Sequence, residues 1–250
     1  MTIYITSVRN AATRLAEARA RSVTLARATA DAIARARTYT DADLSPQGLA
    51  SKRAEFESQF RAAASTDLAA IQAEMTQARQ YLADATREHT QIPNDAAALI
   101  RAEQKWRQIE RILDAGGDLR KQIRTADADT ALAIAEHAPS WLEAASTTRG
   151  TGLYDAVANA FGATDETPVN GVRRAAYARL ADVSSDPALS ELLRAEIAAD
   201  SLQATAEPWL YAAGRLVEEG AADMLGAAVA SEAASQADPA QTLEHAGDPA

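Results

Sequence analysis

Few side chains in this 250-residue chain are of types and spacings that could do chemistry. The three histidines, His89, His137 and His245, lie far apart. None belongs to an H-E-x-x-H motif or to an i, i+4 pair that would set two imidazoles on one helix face for a metal. Glu136 and His137 are neighbours, so on a helix their side chains diverge by about 100°. Asp127-Ala128-Asp129, followed by Thr130 and Ala131, has the outline of an aspartyl-phosphate motif or the start of a calcium loop. The first needs a hydrophobic strand ahead of it, where Lys121-Gln122-Ile123-Arg124-Thr125 stands. The second needs an oxygen ligand and then a glycine, where Ala131 and Leu132 stand. Helix capping by Asp127 or Asp129 accounts for the pattern better. Gly116-Gly117 and Gly150-Thr151-Gly152 lack the preceding strand and following Lys-Ser/Thr of a phosphate-binding loop. Without cysteine there is no thiol nucleophile, disulfide or zinc-thiolate centre. An all-helical enzyme built on carboxylates such as Glu103, Glu110 and Asp114 would want a Glu-x-x-His partner, and none accompanies them. No catalytic residue, cofactor, metal or small-molecule substrate is expected.

The one strong chemical feature is a basic first helix. Seven arginines fall between positions 9 and 37, with Glu17 and Asp31 as the acidic residues among them. Glu17→Arg21 and Asp31→Arg35 have the favourable i, i+4 orientation. The arginines are spread around the helix and lack interleaved aromatic stackers, which argues against nucleic acid. No Trp, Phe or leucine-rich face is present for a membrane surface. A protein partner fits the charge pattern best. In a parallel homodimer Arg14 would face Arg19 of the other copy, so an acidic neighbouring helix or an antiparallel pairing is expected.

The element that must carry these charges runs over 7–38. Val8, Ala11, Leu15, Ala18, Ser22, Leu25, Thr29, Ala32, Ala36 and Tyr39 repeat at alternating spacings of three and four, a coiled-coil seam. The expected interaction residues are Val8, Leu15, Leu25 and Tyr39 on the seam, and Arg14, Arg19, Arg21 and Arg35 on its flanks. Ser45-Pro46 reads as N-cap and first turn of a second long helix towards Thr90. Its stripe is Leu49, Phe56, Phe60, Leu68, Ile71, Met75, Ala78 and Leu82, with a stutter or kink at Ser65-Thr66-Asp67. A third helix capped by Asn94, with Leu99, Ala102, Trp106, Ile109 and Leu113 inward, stops at Gly116-Gly117 and forms a hairpin with the second. Shorter helices are predicted over 118–125, 129–138 and 140–145, with a corner at Pro139 pinned by Trp141. Further segments follow over 153–161, 169–182, 187–205 and 208–235, broken by Pro168, Pro187 and Pro208.

Composition agrees with helix throughout. About a quarter of the chain is alanine, while Leu, Ile, Val and Phe reach only about 17%. That is below the ~20% of a well-filled core, and it disfavours a large sandwich or doubly wound sheet. The expected fold class is all-α: a long coiled-coil-like N-terminal helix, a helical hairpin, then a bundle of shorter helices. The expected organisation is a basic helix over 1–40, hairpin and short helices over 41–146, a linker over 147–152, an acidic alanine-rich helical region over 153–235, and a disordered tail over 236–250. The net charge of −10 is unevenly placed, +4 over residues 1–125 and −14 over 126–250. No run reaches the ~18 apolar residues that span a bilayer. Met1-Thr2-Ile3-Tyr4-Ile5-Thr6 lacks the basic and apolar regions of a secretory signal. The expected location is a bacterial host cytoplasm, with virion association on an assembly reading.

Three features together resemble a known kind of protein: the Arg- and Ala-rich first helix, the restart Leu44-Ser45-Pro46-Gln47-Gly48-Leu49-Ala50-Ser51-Lys52-Arg53 into a second long helix, and the acidic C-terminal half. They resemble helical proteins of the structural modules of tailed phages and prophages of GC-rich bacteria, scaffolding and head-assembly proteins among them. The resemblance covers about residues 1–145 and rests on style rather than on a discriminating motif. Many scaffolding proteins carry a basic C-terminal capsid-binding segment, whereas this C-terminal half is acidic. The resemblance implies a non-enzymatic assembly protein that binds itself or another structural protein through helices. The second reading is a regulatory or nucleic-acid-binding module using the arginines of the first helix.

Overall fold

The computed structural model describes residues 3–148 and 168–236. The fold is all-α. Among the described residues there are eight helices and no strand: α1 (Ile5–Thr38), α2 (Pro46–Thr90), α3 (Ala96–Asp114), α4 (Leu119–Thr125), α5 (Ala128–Thr148), α6 (Pro168–Val183), α7 (Pro187–Glu219) and α8 (Met224–Gln236). The chain divides into two compact units, one of Arg9–Tyr81 with Ala198–Gln236, the other containing Met1–Val8 and Leu82–Ile197. The divisions fall inside α1, α2 and α7. Helices of 45 and 33 residues are long enough to supply a stripe to each of two cores. Residues 149–152 of the expected linker, the segment 153–161 and the tail from 237 lie outside the described residues.

In the unit of α1 and α8, helix directions follow from long-range pairs. Arg37 meets Glu57 and Arg21 meets Glu74, so α1 and α2 run antiparallel. Arg79 meets Asp200 while Arg61 reaches the carbonyl of Val217, so α2 and α7 are antiparallel as well. Ser231 Oγ donates to the Thr205 carbonyl at 2.8 Å, and Ala227 packs with Trp209, Ala212 and Ala213, which turns α8 back along α7. Four helical segments thus alternate in direction. α2 begins as its sequence predicts: Ser45 Oγ accepts from the Gly48 N–H at 3.2 Å. It then continues without a break through Ser65-Thr66-Asp67.

The α1 seam departs from the expected one in its second half. Its buried residues are Val8, Ala11, Leu15, Ala18, Ser22, Ala26, Thr29, Ile33 and Ala36. After Ser22 the step is four again, so Ala26 and Ile33 take the inward places expected of Leu25 and Ala32, which are half-buried. Val8, Leu15, Ser22, Thr29 and Ala36 stay seven residues apart, so the heptad period is kept and only the alternate inward place moves by one residue in the second half of the helix. Ala26 lies in the cluster built round Trp209, where a small residue makes room for the indole. The buried Ser22 hydroxyl is satisfied by the Arg19 carbonyl at 2.7 Å.

The other unit is built on α5. Ile134 and Leu142 of α5 pack with Val172 and Leu180 of α6, Trp106, Ile109 and Leu113 of α3, Ile123 of α4, and Leu193. Alanines on both α5 (Ala131, Ala135, Ala138) and α6 (Ala175, Ala176, Ala181) lie in the same cluster, so these helices approach closely. Asp127 caps α5 as predicted, accepting from the Thr130 N–H at 2.8 Å. Gly116, at φ 85°, ends α3 where the sequence places a stop.

Four local expectations are corrected. Asp95, not Asn94, caps α3, with its carboxylate accepting from the Ala98 N–H at 3.2 Å. Leu99 points outward, 45% exposed, because α3 buries only the stripe from Trp106 onward. Pro139 does not end α5, which runs on to Thr148. A proline inside a helix costs about 3 kcal/mol, but stopping there would forfeit the burial of Leu142. Pro208 likewise sits inside α7 between the buried Ala206 and Trp209. The carbonyl it leaves without an N–H, four residues back, belongs to Ala204, an exposed residue within reach of water. The break comes instead at Gly220, φ 70°.

Candidate functional site

The residues singled out on α1 are engaged inside the chain. Leu15 is 1% exposed and Val8 is equally buried, while Leu25 and Tyr39 are half-buried. Leu25 packs against the Trp209 cluster, and the Tyr39 ring meets Phe56 edge-on at 5.1 Å. Arg19 Nε donates to Thr205 Oγ1 at 3.0 Å, and Arg21 pairs with Glu74 at 2.5 Å rather than with Glu17. Arg27 lies over the Trp209 ring, 5.2 Å from its centre. Arg37 grips Glu57 with two hydrogen bonds, 3.0 and 2.8 Å, which raises the guanidinium pKa and lowers that of the carboxylate. Arg14 and Arg35 remain exposed. Two of the α1 arginines thus meet carboxylates of α2 in the same chain, Arg21 with Glu74 and Arg37 with Glu57. Val8 and Leu15 of the seam are core, and a partner would have to displace that core to reach them.

The surface the sequence did not mark is the outward face of α8. Asp223 caps this helix, accepting from the Gly226 N–H at 2.8 Å, and Ala227 and Ser231 face inward. On the opposite side Leu225 is 76% and Val229 62% exposed, one helical turn apart. Tyr211 of α7, 69% exposed, stands at the height of Leu225, because Ser231 pairs with Thr205 and the two helices are antiparallel. Pro208 marks a segment over 208–235 in the sequence, rich in alanine. Once Pro208 belongs to α7 and Gly220 makes the turn, the i, i+4 pair Leu225/Val229 becomes legible as an unburied stripe.

The α5 unit holds a cleft of about 780 Å³. The last turn of α2 contributes Glu88, α3 contributes Leu99 and Glu103, α5 contributes Glu136 and His137, and the connector before α3 closes the rim. Glu110 and Asp114, grouped with Glu103 in the sequence, do not line it. The His137 ring stacks on Trp106 at 6.0 Å and 29°, and Trp106 meets Trp141 edge-on at 6.3 Å. Glu103 is shared with Arg107 at 2.5 Å. Among the described residues no three His, Cys, Asp or Glu side chains are grouped to hold a metal ion. No helix among them is long and apolar enough to cross a membrane.

The chain matches no protein-family model, no curated protein and no solved structure.

Proposed function

We propose that this protein is a non-enzymatic helical assembly protein that acts by self-association through the outward face of α8. The observation that carries the reading is the pair Leu225 and Val229, one helical turn apart on α8. A chain with only about 17% Leu, Ile, Val and Phe has few bulky apolar side chains to spare, and here it leaves two of them in water side by side on α8. A second copy is the favoured occupant on charge grounds. The chain carries −10 overall, yet Glu232 is the one charged side chain on α8. Two copies can approach there with little like-charge opposition. Each bulky side chain withdrawn from water contributes roughly 1.5–3 kcal/mol when fully buried, so a small set must offset several kcal/mol of lost rotational and translational freedom. The result is a weak, concentration-dependent dimer or a contact repeated in a larger assembly. The proposed setting is the structural module of a tailed phage or prophage, in the bacterial cytoplasm or the finished particle.

Light scattering coupled to size exclusion tests this. The wild type should gain mass with concentration, and Leu225→Glu with Val229→Glu should hold it at monomer mass with its helicity intact. A wild type that stays monomeric over the whole accessible concentration range refutes the proposal. The alternative, a regulatory or nucleic-acid-binding use of the first-helix arginines, is less favoured because Arg19, Arg21, Arg27 and Arg37 each have a partner within the chain.

A further inference from the structure

We propose that α8 pairs with α8 of a second copy in antiparallel direction about a two-fold axis, so that this contact closes at a dimer. The inference rests on the self-association reading above and adds the direction of pairing and the number of copies. At about 100° per residue, Val229 stands opposite the inward-facing Ala227 and Ser231, at the centre of the exposed side. Leu225 lies about 40° to one side of it, Glu232 about 60° to that same side, and Ala233 about 40° to the other. All are exposed. Asp223 is about 120° away from Val229, and its carboxylate is taken up by the Gly226 N–H at 2.8 Å. The outward face thus carries two bulky apolar side chains and one charge, Glu232, towards its C-terminal end.

A stripe this short is covered by a second copy only if each Leu225 and Val229 meets those of the other. Two arrangements do so. Parallel pairing sets Leu225 on Leu225 and Val229 on Val229, but it also sets Glu232 beside Glu232, about one interhelix spacing of 8–10 Å apart. It aligns the two helix dipoles side by side as well, which is repulsive. Antiparallel pairing sets the Leu225 of each copy on the Val229 of the other. The two Glu232 carboxylates then separate to opposite ends, about 15 Å apart along the axis at 1.5 Å per residue. That exceeds the ~8 Å over which salt screens exposed charges at physiological ionic strength. Each Glu232 also comes level with the N-terminal end of the other α8, where the helix dipole favours an anion. Gly226, Ala230 and Ala233 are small, so the two backbones can approach. A two-fold contact uses the same patch on both copies, and once paired neither has a stripe left for a third.

Spin labelling tests the direction and light scattering the number. The chain has no cysteine, so Gln236→Cys or Ala230→Cys takes a single nitroxide. Both positions are exposed, and neither is part of the Leu225/Val229 pair. Antiparallel pairing centred between Leu225 and Val229 puts the two labels at 236 about 27 Å apart along the axis and those at 230 about 9 Å apart. Parallel pairing leaves both sets at about one helix spacing, ~8–10 Å. The expected result is the long distance at 236, the short one at 230, and a mass that levels off at twice that of the monomer. Leu225→Glu with Val229→Glu in the Gln236→Cys chain should abolish the dipolar signal. Equal short distances at both positions, or a mass that passes the dimer, overturn this inference and leave self-association through α8 standing. A wild type that stays monomeric, or a dipolar signal that survives the two glutamates, overturns that reading and this inference with it.

Discussion

Gly220 gives the sharpest test of the packing between α1, α2 and α7. Its backbone is left-handed, φ 70°, and its N–H donates to the Leu216 carbonyl at 3.0 Å, ending α7. A Cβ there would lie 2.6 Å from both Arg37 Nη2 and Glu57 Oε1, the two partners of the ion pair joining α1 to α2. Gly220→Ala therefore meets two costs. The left-handed backbone with a Cβ costs roughly 1–2 kcal/mol. Displacing the partly exposed ion pair costs a further ~0.2–1 kcal/mol. The expected loss is about 1.2–3 kcal/mol. Two other glycines separate the terms. Gly116, φ 85°, has nothing within 4 Å of its Cβ position, so Gly116→Ala should show the backbone term alone. Gly214 lies inside α7 with equally open space, so Gly214→Ala should stabilise by roughly 0.5–1 kcal/mol. Urea unfolding followed by circular dichroism reads all three. If Gly220→Ala costs no more than Gly116→Ala, the turn does not rest on the Arg37–Glu57 pair. If it costs nothing, the left-handed turn itself is wrong.

Arg61 donates from Nε to the Val217 carbonyl at 2.6 Å and from Nη2 to that of Glu218, satisfying carbonyls in the last turn of α7. Arg61→Met should lower stability by about 1–3 kcal/mol in the same unfolding assay, and a neutral result would deny the cap. Asp127 is held at a pKa of about 2 by its hydrogen bonds with Thr130, those to Lys105, and the Lys105 charge. A carboxylate lowered in the folded state adds stability above its unfolded pKa and loses it as pH falls from about 3.8 through 2. Its side chain is 63% exposed, so solvent screening limits the contribution to about 1 kcal/mol. Asp127→Ala should remove that part of the acid dependence, seen by comparing unfolding free energies at pH 6 and pH 2.5. Leu15→Asp puts a carboxylate into a site 1% exposed and should cost at least about 3 kcal/mol. The check is loss of helicity in dilute protein, where no assembly forms to be disrupted.

Local chemistry was readable along the chain wherever a signal is self-contained. Ser45-Pro46 starts α2, Gly116 stops α3, and Asp127 caps α5, because caps and left-handed turns depend on a few neighbouring atoms. The all-α class followed from alanine excess and three–four periodicity for the same reason. Asp95 displaced Asn94 because adjacent Asx residues can both cap, and only the backbone path chooses between them. Periodicity says that a face is apolar, not what covers it. The α1 seam looked open to another molecule, and α2 and α7 closed it through contacts as remote in sequence as Arg19 with Thr205. Pro139 and Pro208 looked like breaks because the cost of a mid-helix proline is local, whereas the burial that outweighs it comes from distant residues. The face of α8 and the cleft beside His137 exist only once the helices are placed, since exposure is what remains after packing and no neighbour in sequence reports it.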